Sequence, residues 1–203
     1  MHARRAQEWK GEAFLGKYPQ SWLLPEVYEI AAKAYIDLGE LDQALQNGRA
    51  SLQILPESPL LLVPLANAEV KLGRNAEAEQ SAKEALDYLE RFDGPGTVPK
   101  EQWPEVQQEL KASCYFVLGR VKTSQGVNLL PGAERSRTLQ DSIHLLARVR
   151  LLNPDDPEIE CLIGLDYMAL GSHTEAARWM SVVYQRESPL KEFALAGTHV
   201  HIE

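Results

Sequence analysis

The chain has 203 residues, of which 44% are hydrophobic, so it is long enough to bury a substantial core. Its 29 acidic and 21 basic residues give a net charge of −8, and no run of Lys or Arg is longer than Arg4-Arg5, which argues against nucleic acid or an anionic membrane as the main partner. No apolar run approaches the roughly 18 residues of a membrane-spanning helix, so the composition predicts a soluble chain without membrane insertion.

The first predicted helix is Ala3–Tyr18, which ends before Pro19 and resembles the second half of a helix pair. Residues 25–58 then show about 14 residues of helical periodicity, a short polar turn and a second helical stretch. Residues 59–92 repeat this arrangement, because Gly39 and Gly73 lie 34 residues apart, as do Ala44 and Ala78. Two markers with one spacing predict a repeated helix-turn-helix unit.

Two features disturb the regular spacing in the middle of the chain. Pro64 falls inside the first helix of the second unit, so we expect that helix to start late or to kink. Residues 93–111 form an insertion whose first half, Gly94–Pro99, is a predicted loop and the expected first site of limited proteolysis. Its second half, from Pro104, is expected to lengthen the following helix.

The third unit, residues 112–156, contains a further insertion of 11 residues around NLLPGAERSR, with a second helix predicted over Thr138–Leu152. The fourth unit, residues 157–190, regains the pattern, because Gly171 and Ala176 repeat the offset between Gly39 and Ala44. Residues 191–203 are predicted to begin a further helix or to form a tail. Since the chain starts and stops in mid-unit, we expect it to be a segment of a longer protein.

The glycines fall into two predicted classes. One class lies one residue after an apolar position of a first helix, where a small side chain lets two helices approach closely; its members are Gly119 and Gly164. The other class is expected to end a first helix in a left-handed turn; its members are Gly39, Gly73, Gly126 and Gly171.

Residues that could carry chemistry are few. Asp155-Asp156 and Glu158–Glu160 are interpreted as acidic residues at a helix N-terminus, where the helix dipole favours them. Neither cysteine has an adjacent base or metal-ligand spacing, and the histidines have no neighbours that complete a ligand set; these residues are Cys114, Cys161, His144, His173, His199 and His201. The sequence therefore predicts a protein that is not an enzyme and that uses no cofactor or metal.

The repeated pattern resembles the tetratricopeptide repeat (TPR), in which a large residue, Leu-Gly, Tyr, a turn Gly, Ala and Pro recur within 34 positions. Counted from Pro157, the matching residues are Ile163, Gly164, Tyr167, Gly171 and Ala176; counted from Pro25, they are Tyr28, Ala31, Ala32, Tyr35, Gly39, Ala44 and Pro56. The resemblance implies an all-α fold, a right-handed α-solenoid of antiparallel helix pairs with about four full repeats and an N-terminal half-repeat helix. The domain boundaries implied are residues 3–18, 25–58, 59–92, 93–111, 112–156, 157–190 and 191–203.

The resemblance also implies that positions 2, 5, 9 and 12 of each unit line a concave face that contacts ligands. In this sequence the predicted peptide-binding groove consists of Lys33, Ile36, Val63, Asn67, Val70, Phe116, Arg120, Cys161, Leu165 and Met168, with Glu26, Glu29, Leu60, Ser113, Thr123 and Glu158 at the remaining positions. Because Glu29 stands where family members that bind chaperone tails have Lys, a C-terminal carboxylate ligand is disfavoured.

The expected function is a non-catalytic protein–protein interaction scaffold that binds a partner segment in this groove. Two alternatives stay open: the recruiting or regulatory segment of a larger multidomain enzyme, and a self-assembly module that forms homo-oligomers. A further ambiguity concerns the helix that carries Cys161, Leu165 and Met168, which is apolar on two faces. This second face is covered either by the chain's own continuation or by a partner.

Overall fold

The computed structural model describes residues 13–14, 16–96, 98–154, 156–186, 189–192 and 194. Within these ranges the chain forms helices and no strands, which confirms the predicted all-α class. The helices are α1 (Leu24–Leu38), α2 (Leu41–Ile54), α3 (Pro59–Lys71), α4 (Asn75–Arg91), α5 (Trp103–Asn128), α6 (Ala133–Leu152), α7 (Pro157–Ala169) and α8 (His173–Gln185). None of the helices in these ranges is long and apolar enough to cross a membrane.

The chain divides into two compact units, residues 1–114 and residues 115–203, with the division inside α5. In the first unit, α1 packs on α2 and α3 packs on α4. In the second unit, α7 packs on both α6 and α8. The predicted half-repeat helix over residues 3–18 and the predicted tail over residues 191–203 lie largely outside the described residues.

The same turn closes three of the helix pairs. Gly39, Gly73 and Gly171 have φ values of 79°, 71° and 74°, in the left-handed region that glycine adopts most readily. In each turn the glycine amide donates to the carbonyl three residues earlier at 3.0 Å, and the next amide donates to the carbonyl five residues earlier at 2.8–2.9 Å. This pair of bonds is the Schellman motif, which satisfies the last carbonyl groups of a helix. The helix-ending role predicted for these three glycines is confirmed.

The same role predicted for Gly126 is wrong. Helix α5 continues to Asn128, and Gly126 lies buried within it. A Cβ atom at Gly126 would lie 2.6 Å from Leu139 Cγ, so the missing side chain allows α5 and α6 to approach closely. Gly126 therefore belongs with Gly119, where a Cβ atom would lie 2.8 Å from Leu146 Cγ.

Two predicted helix starts are corrected, and one is confirmed. Helix α3 starts at Pro59 and contains Pro64, so the predicted late start is wrong. Proline fits at the start of a helix because the backbone amide that it lacks would have no acceptor within the helix there. Helix α6 begins at Ala133, five residues before the predicted Thr138, so part of the insertion in the third unit is helical. Helix α5 starts at Trp103, as the lengthening from Pro104 predicts.

Each unit has its own apolar core. In the first, residues of α1, α2 and α3 form a buried cluster, with Leu41, Leu52 and Leu72 packed against it: Ala32, Leu45, Leu61, Leu65 and Ala68. In the second, α7 and α8 contribute to a buried cluster with Leu165, Met168 and Leu190 packed against it: Cys161, Met180, Val183 and Ala194. The second apolar face of α7 is therefore covered by the chain itself, since Leu190 and Ala194 follow α8.

This packing predicts that Gly164→Leu and Leu165→Glu both destabilise the second unit. A Cβ atom at Gly164 would lie 2.9 Å from Met180 Cε, so leucine forces that core apart, typically at a cost of about 1–3 kcal/mol. Leu165→Glu places a charge against the same cluster. Urea denaturation measures both losses. The matched control is Leu151→Glu, since Leu151 is 83% exposed; equal midpoints for the Leu165 and Leu151 variants would contradict the packing described.

Candidate functional site

A cleft of about 330 Å³ lies in the first unit between α1 and α3. Helix α1 contributes one face, on which Glu26, Glu29 and Lys33 follow each other at spacings of three and four residues. The start of α3 forms the opposite side, and the segment after α4 forms the end wall. We call this surface the α1–α3 cleft; its lining residues are Glu26, Glu29, Ile30, Lys33, Glu57, Ser58, Pro59, Leu60, Phe92 and Pro95.

The end wall of the cleft is held in place by Trp103 at the start of α5. The indole of Trp103 is buried, its Nε1 donates to the Phe92 carbonyl at 3.2 Å, and its ring meets the Phe92 ring edge-on at 5.4 Å. Gly94 has a φ of 100°, and a Cβ atom there would lie 2.8 Å from Trp103 Cγ. Only glycine therefore fits at position 94 in this arrangement.

The charged groups of the cleft are mostly acidic. Lys33 Nζ lies 2.5 Å from Glu29 Oε1, so this pair is neutral as a whole. Glu26 and Glu57 are exposed, and neither forms an ion pair with a residue that the structure describes. The walls between them are apolar, and Ile30 is 48% exposed within the cleft. The cleft thus combines an apolar surface with two carboxylates that lack a counter-ion among the described residues.

Of the predicted groove residues in the first unit, Lys33 lines the α1–α3 cleft, and Ile36 lies half-buried further along α1. Val63 and Val70 are buried in α3. Asn67 Nδ2 donates to the carbonyl of Val63 in its own helix at 3.1 Å. The structure therefore places only part of this predicted set on an open surface.

The predicted groove residues of the second unit separate into two groups. Arg120 lies over the Phe116 ring at 5.8 Å and forms an ion pair with Glu158 at 3.3 Å. Cys161 is buried in the core cluster, and Leu165 and Met168 pack against it. Those three side chains therefore contribute to the core of the second unit, together with Leu190 and Ala194.

Several cleft residues lie outside the predicted positions. Ile30 follows Glu29 on α1, Glu57 precedes α3, and Phe92 and Pro95 belong to the segment after α4. The one local signal that points to Ile30 is its spacing of four residues from Glu26, which places both side chains on one face of α1. Nothing in the local sequence indicates that the insertion after α4 returns to the start of α1.

A second cavity, of about 380 Å³, lies along α2 and is lined by Asp42, Arg49 and Arg74 among others. Arg74 pairs with Asp42 at 2.5 Å, and Arg49 pairs with Glu69 at 3.3 Å. Both arginines are thus already bound to carboxylates of the chain. This cavity offers a ligand less free charge than the α1–α3 cleft does.

Three buried carboxylates were not predicted from the sequence. Glu69 accepts from Ser81 Oγ at 2.8 Å and from Arg49; burial raises the pKa of Glu69, and these hydrogen bonds act in the opposite direction. Glu160 is fully buried and pairs with Arg150 and Arg186, both at 3.3 Å. Glu158 and Glu160 lie in the first turn of α7, as the helix-dipole interpretation predicts, and Asp156 caps the helix by accepting from the Glu158 amide at 2.9 Å. The burial of Glu160 and its pairing with two arginines were not predicted.

Asp166 is the third buried carboxylate. It is fully buried, and burial raises its pKa to about 7. The hydroxyl groups of Ser142 and Thr123 lie nearby and act in the opposite direction, but burial has the larger effect. Those hydroxyl groups bond to each other at 2.9 Å, and Ser142 Oγ also donates to the Gly119 carbonyl at 3.0 Å. Neither carboxylate oxygen of Asp166 has a hydrogen-bond partner within the described part of the chain.

The two cysteines are buried thiols. Burial raises the pKa of Cys114 to about 12, and burial together with the charge of Glu158 raises the pKa of Cys161 to about 11. Both therefore remain protonated near neutral pH, which is the unreactive form of a thiol. In the ranges that the structure covers, no three His, Cys, Asp or Glu side chains gather as a metal site; His199 and His201 lie outside those ranges.

No family model and no curated protein sequence matches the chain. Solved structures do. The MamA RS-1 ArsTM double mutant aligns over 89% of this chain and 92% of its own, at 12% identity and a TM-score of 0.58. A crystal structure of MamA protein covers 85% of this chain and 97% of its own, at 17% identity and a TM-score of 0.37. The human IFIT1 dimer with PPP-AAAA covers 94% of this chain and 48% of its own, at 14% identity and a TM-score of 0.46.

At 12% identity the first match is a likeness of fold alone, and MamA is a TPR-like protein. The fold agrees with the internal evidence, because α1/α2 and α3/α4 are helix pairs closed by the same turn 34 residues apart. The α7/α8 pair carries that turn a third time. The chain therefore has a tetratricopeptide-type helical repeat fold.

Proposed function

We propose that this chain is a non-catalytic scaffold that binds a segment of a partner protein in the α1–α3 cleft. The observation that carries the proposal is the cleft itself, an open apolar surface at the first helices of two successive repeats. TPR-type folds serve in general as protein-interaction scaffolds. The cleft occupies the part of the repeat where the predicted ligand positions 2, 5 and 9 of the first unit lie.

The dimensions of the cleft favour side chains of a peptide over a large cofactor. Its volume of about 330 Å³ is at the lower end of the range for small-molecule sites, roughly 300–1,000 Å³. Two neighbouring helices with exposed apolar residues between them form the kind of groove in which a partner segment inserts a few anchoring side chains. Ile30, Leu60 and Phe92 supply that apolar contact.

The non-catalytic part of the proposal rests on the state of the reactive groups. Cys114 and Cys161 are protonated thiols in the core, and Glu69 and Glu160 are engaged with arginines. A nucleophilic thiol must be deprotonated, and both thiols keep their proton near neutral pH.

A displayed library of random 12-residue peptides, panned against the whole chain, tests the proposal. Peptides selected on the wild-type chain should bind Ile30→Asp at least about tenfold more weakly, because a buried apolar anchor at an interface is worth about 1–3 kcal/mol. Ile54→Asp is the matched control, since Ile54 is 49% exposed on α2 and lies outside the cleft. Equal binding to both variants, or the absence of any selected peptide, would contradict the proposed function.

A further inference from the structure

The free charge in the α1–α3 cleft is negative. Three of its lining residues are glutamates and one is a lysine, and the lysine is already paired with Glu29 at 2.5 Å. Glu26 and Glu57 remain exposed at the two sides of the cleft, without an ion pair among the described residues. Among the described residues of the lining, an anionic ligand would find no free cation, and these carboxylates would repel it.

The apolar part of the cleft restricts the ligand further. Ile30 lies on the same helix as Glu26, one turn later, and Leu60 lies three residues after Glu57. Each free carboxylate is therefore close in sequence to an apolar side chain of the lining. A ligand that pairs with a free carboxylate and also contacts the apolar lining must carry a cationic group and an apolar group close together, as neighbouring residues of a peptide do.

From this arrangement we propose that the α1–α3 cleft recognises a partner segment in which an arginine or lysine lies within two residues of a large apolar side chain. The proposal rests on the proposed function and specifies its ligand. The cationic side chain binds between Glu26 and Glu57, and the apolar side chain contacts Ile30, Leu60 and Phe92. The net charge of −8 also favours the approach of a basic segment over an acidic one.

The insertion after α4 contributes to this specificity by fixing the end wall. Phe92 is held by the hydrogen bond and ring contact with Trp103, and Gly94 allows the wall to lie against that indole. A wall fixed in this way keeps its shape before the ligand arrives, which reduces the ordering cost of binding. The segment thus acts as a positioning element for Phe92.

The test uses peptides selected from the displayed library and a double variant, Glu26→Gln/Glu57→Gln. The selected pool should be enriched in arginine or lysine next to Leu, Ile or Phe. The double variant should bind a selected peptide at least about tenfold more weakly, and an analogue with arginine replaced by glutamine should bind the wild-type chain with a similar loss. In the combination of analogue and double variant, the two losses should not add, because both remove the same contact.

The control for charge is Glu90→Gln/Glu101→Gln, which removes two exposed carboxylates outside the cleft and should leave affinity within about twofold. Selected peptides without basic residues, or equal affinity for the wild type and Glu26→Gln/Glu57→Gln, would overturn this inference while Ile30→Asp still supports the proposed function. If light scattering shows a dimer that a selected peptide dissociates, the natural occupant is a second copy and the inference is overturned. If no peptide is selected, both proposals fail.

Discussion

Arg150→Met/Arg186→Met should destabilise the second unit by about 3–5 kcal/mol, much more than Glu160→Leu does. Glu160 is fully buried, whereas Arg150 and Arg186 are 41% and 31% exposed. Removing the arginines leaves a carboxylate in the core without a counter-ion, which is the costly way to break a buried ion pair. Removing Glu160 instead leaves two arginines that can turn toward water. The large cost of breaking a buried ion pair comes from the charge that stays buried without a partner, and Glu160→Leu leaves only the partly exposed arginines.

A rescue experiment isolates this effect from the loss of arginine packing, which includes the contact of Arg150 with the Trp179 ring at 5.1 Å. Adding Glu160→Leu to the double variant should recover most of the lost stability, because the stranded charge is then absent. Guanidinium denaturation followed by tryptophan fluorescence gives the free energies of unfolding. A triple variant as unstable as the double variant would show that packing, and not the buried charge, dominates the loss.

Asp166→Asn should stabilise the chain at pH 8 and stabilise it by less than half as much at pH 5. Burial raises the pKa of Asp166 to about 7 in the folded chain, against an ordinary value of 3.8. The folded state therefore holds a proton on Asp166 that the unfolded state has lost. The contribution of Asp166 to the stability of the folded state is fully present below about pH 4 and is lost as the pH rises through about 7. A shift of this size corresponds to at most about 4 kcal/mol.

Urea denaturation at several pH values between 5 and 8 measures the difference. The wild-type chain should lose stability across this range relative to Asp166→Asn, since asparagine has a similar shape and does not ionise. Asp141→Asn removes an exposed carboxylate on α6 and should leave the pH dependence as it is in the wild type. Parallel pH profiles for the wild type and Asp166→Asn would mean that Asp166 is solvated or hydrogen-bonded in solution.

The features predicted correctly from the sequence are those that local interactions decide. Gly39, Gly73 and Gly171 end helices because a left-handed residue after the last apolar position is a local requirement. Gly126 has the same sequence context, yet α5 continues through it. The competing effect there is tertiary, because Leu139 of α6 fills the space that a side chain would take. Local pattern alone does not distinguish a glycine that ends a helix from one that allows close packing.

The buried carboxylates show the same limit. Glu160 follows Pro157 by three residues, a position where an acidic side chain ordinarily faces water near the helix dipole. Its actual partners, Arg150 and Arg186, are 10 and 26 residues away in the sequence. Their convergence depends on how α6, α7 and α8 pack, which the spacing of apolar residues does not specify.

The candidate site was predictable in part. The repeat register places Glu26, Glu29, Lys33 and Leu60 on the ligand-facing positions, and all four line the α1–α3 cleft. The register also places Val63, Val70 and Cys161 on ligand-facing positions, and the side chains of these residues are buried. It also gives no information about Phe92 and Pro95, because an insertion lies outside the repeat by definition. The remaining part of the groove assignment stays a prediction.

Amide chemical-shift mapping with a peptide selected from the library tests the central claim most directly. If the chain is a scaffold that binds a partner segment in the α1–α3 cleft, the largest shifts should fall on residues 26–33, 57–60 and 92–95. The same peptide should leave the amides of α8 unchanged, because the apolar face of α7 that α8 helps to cover is internal. Shifts centred on α7 and α8, with residues 26–33 unaffected, would contradict the account.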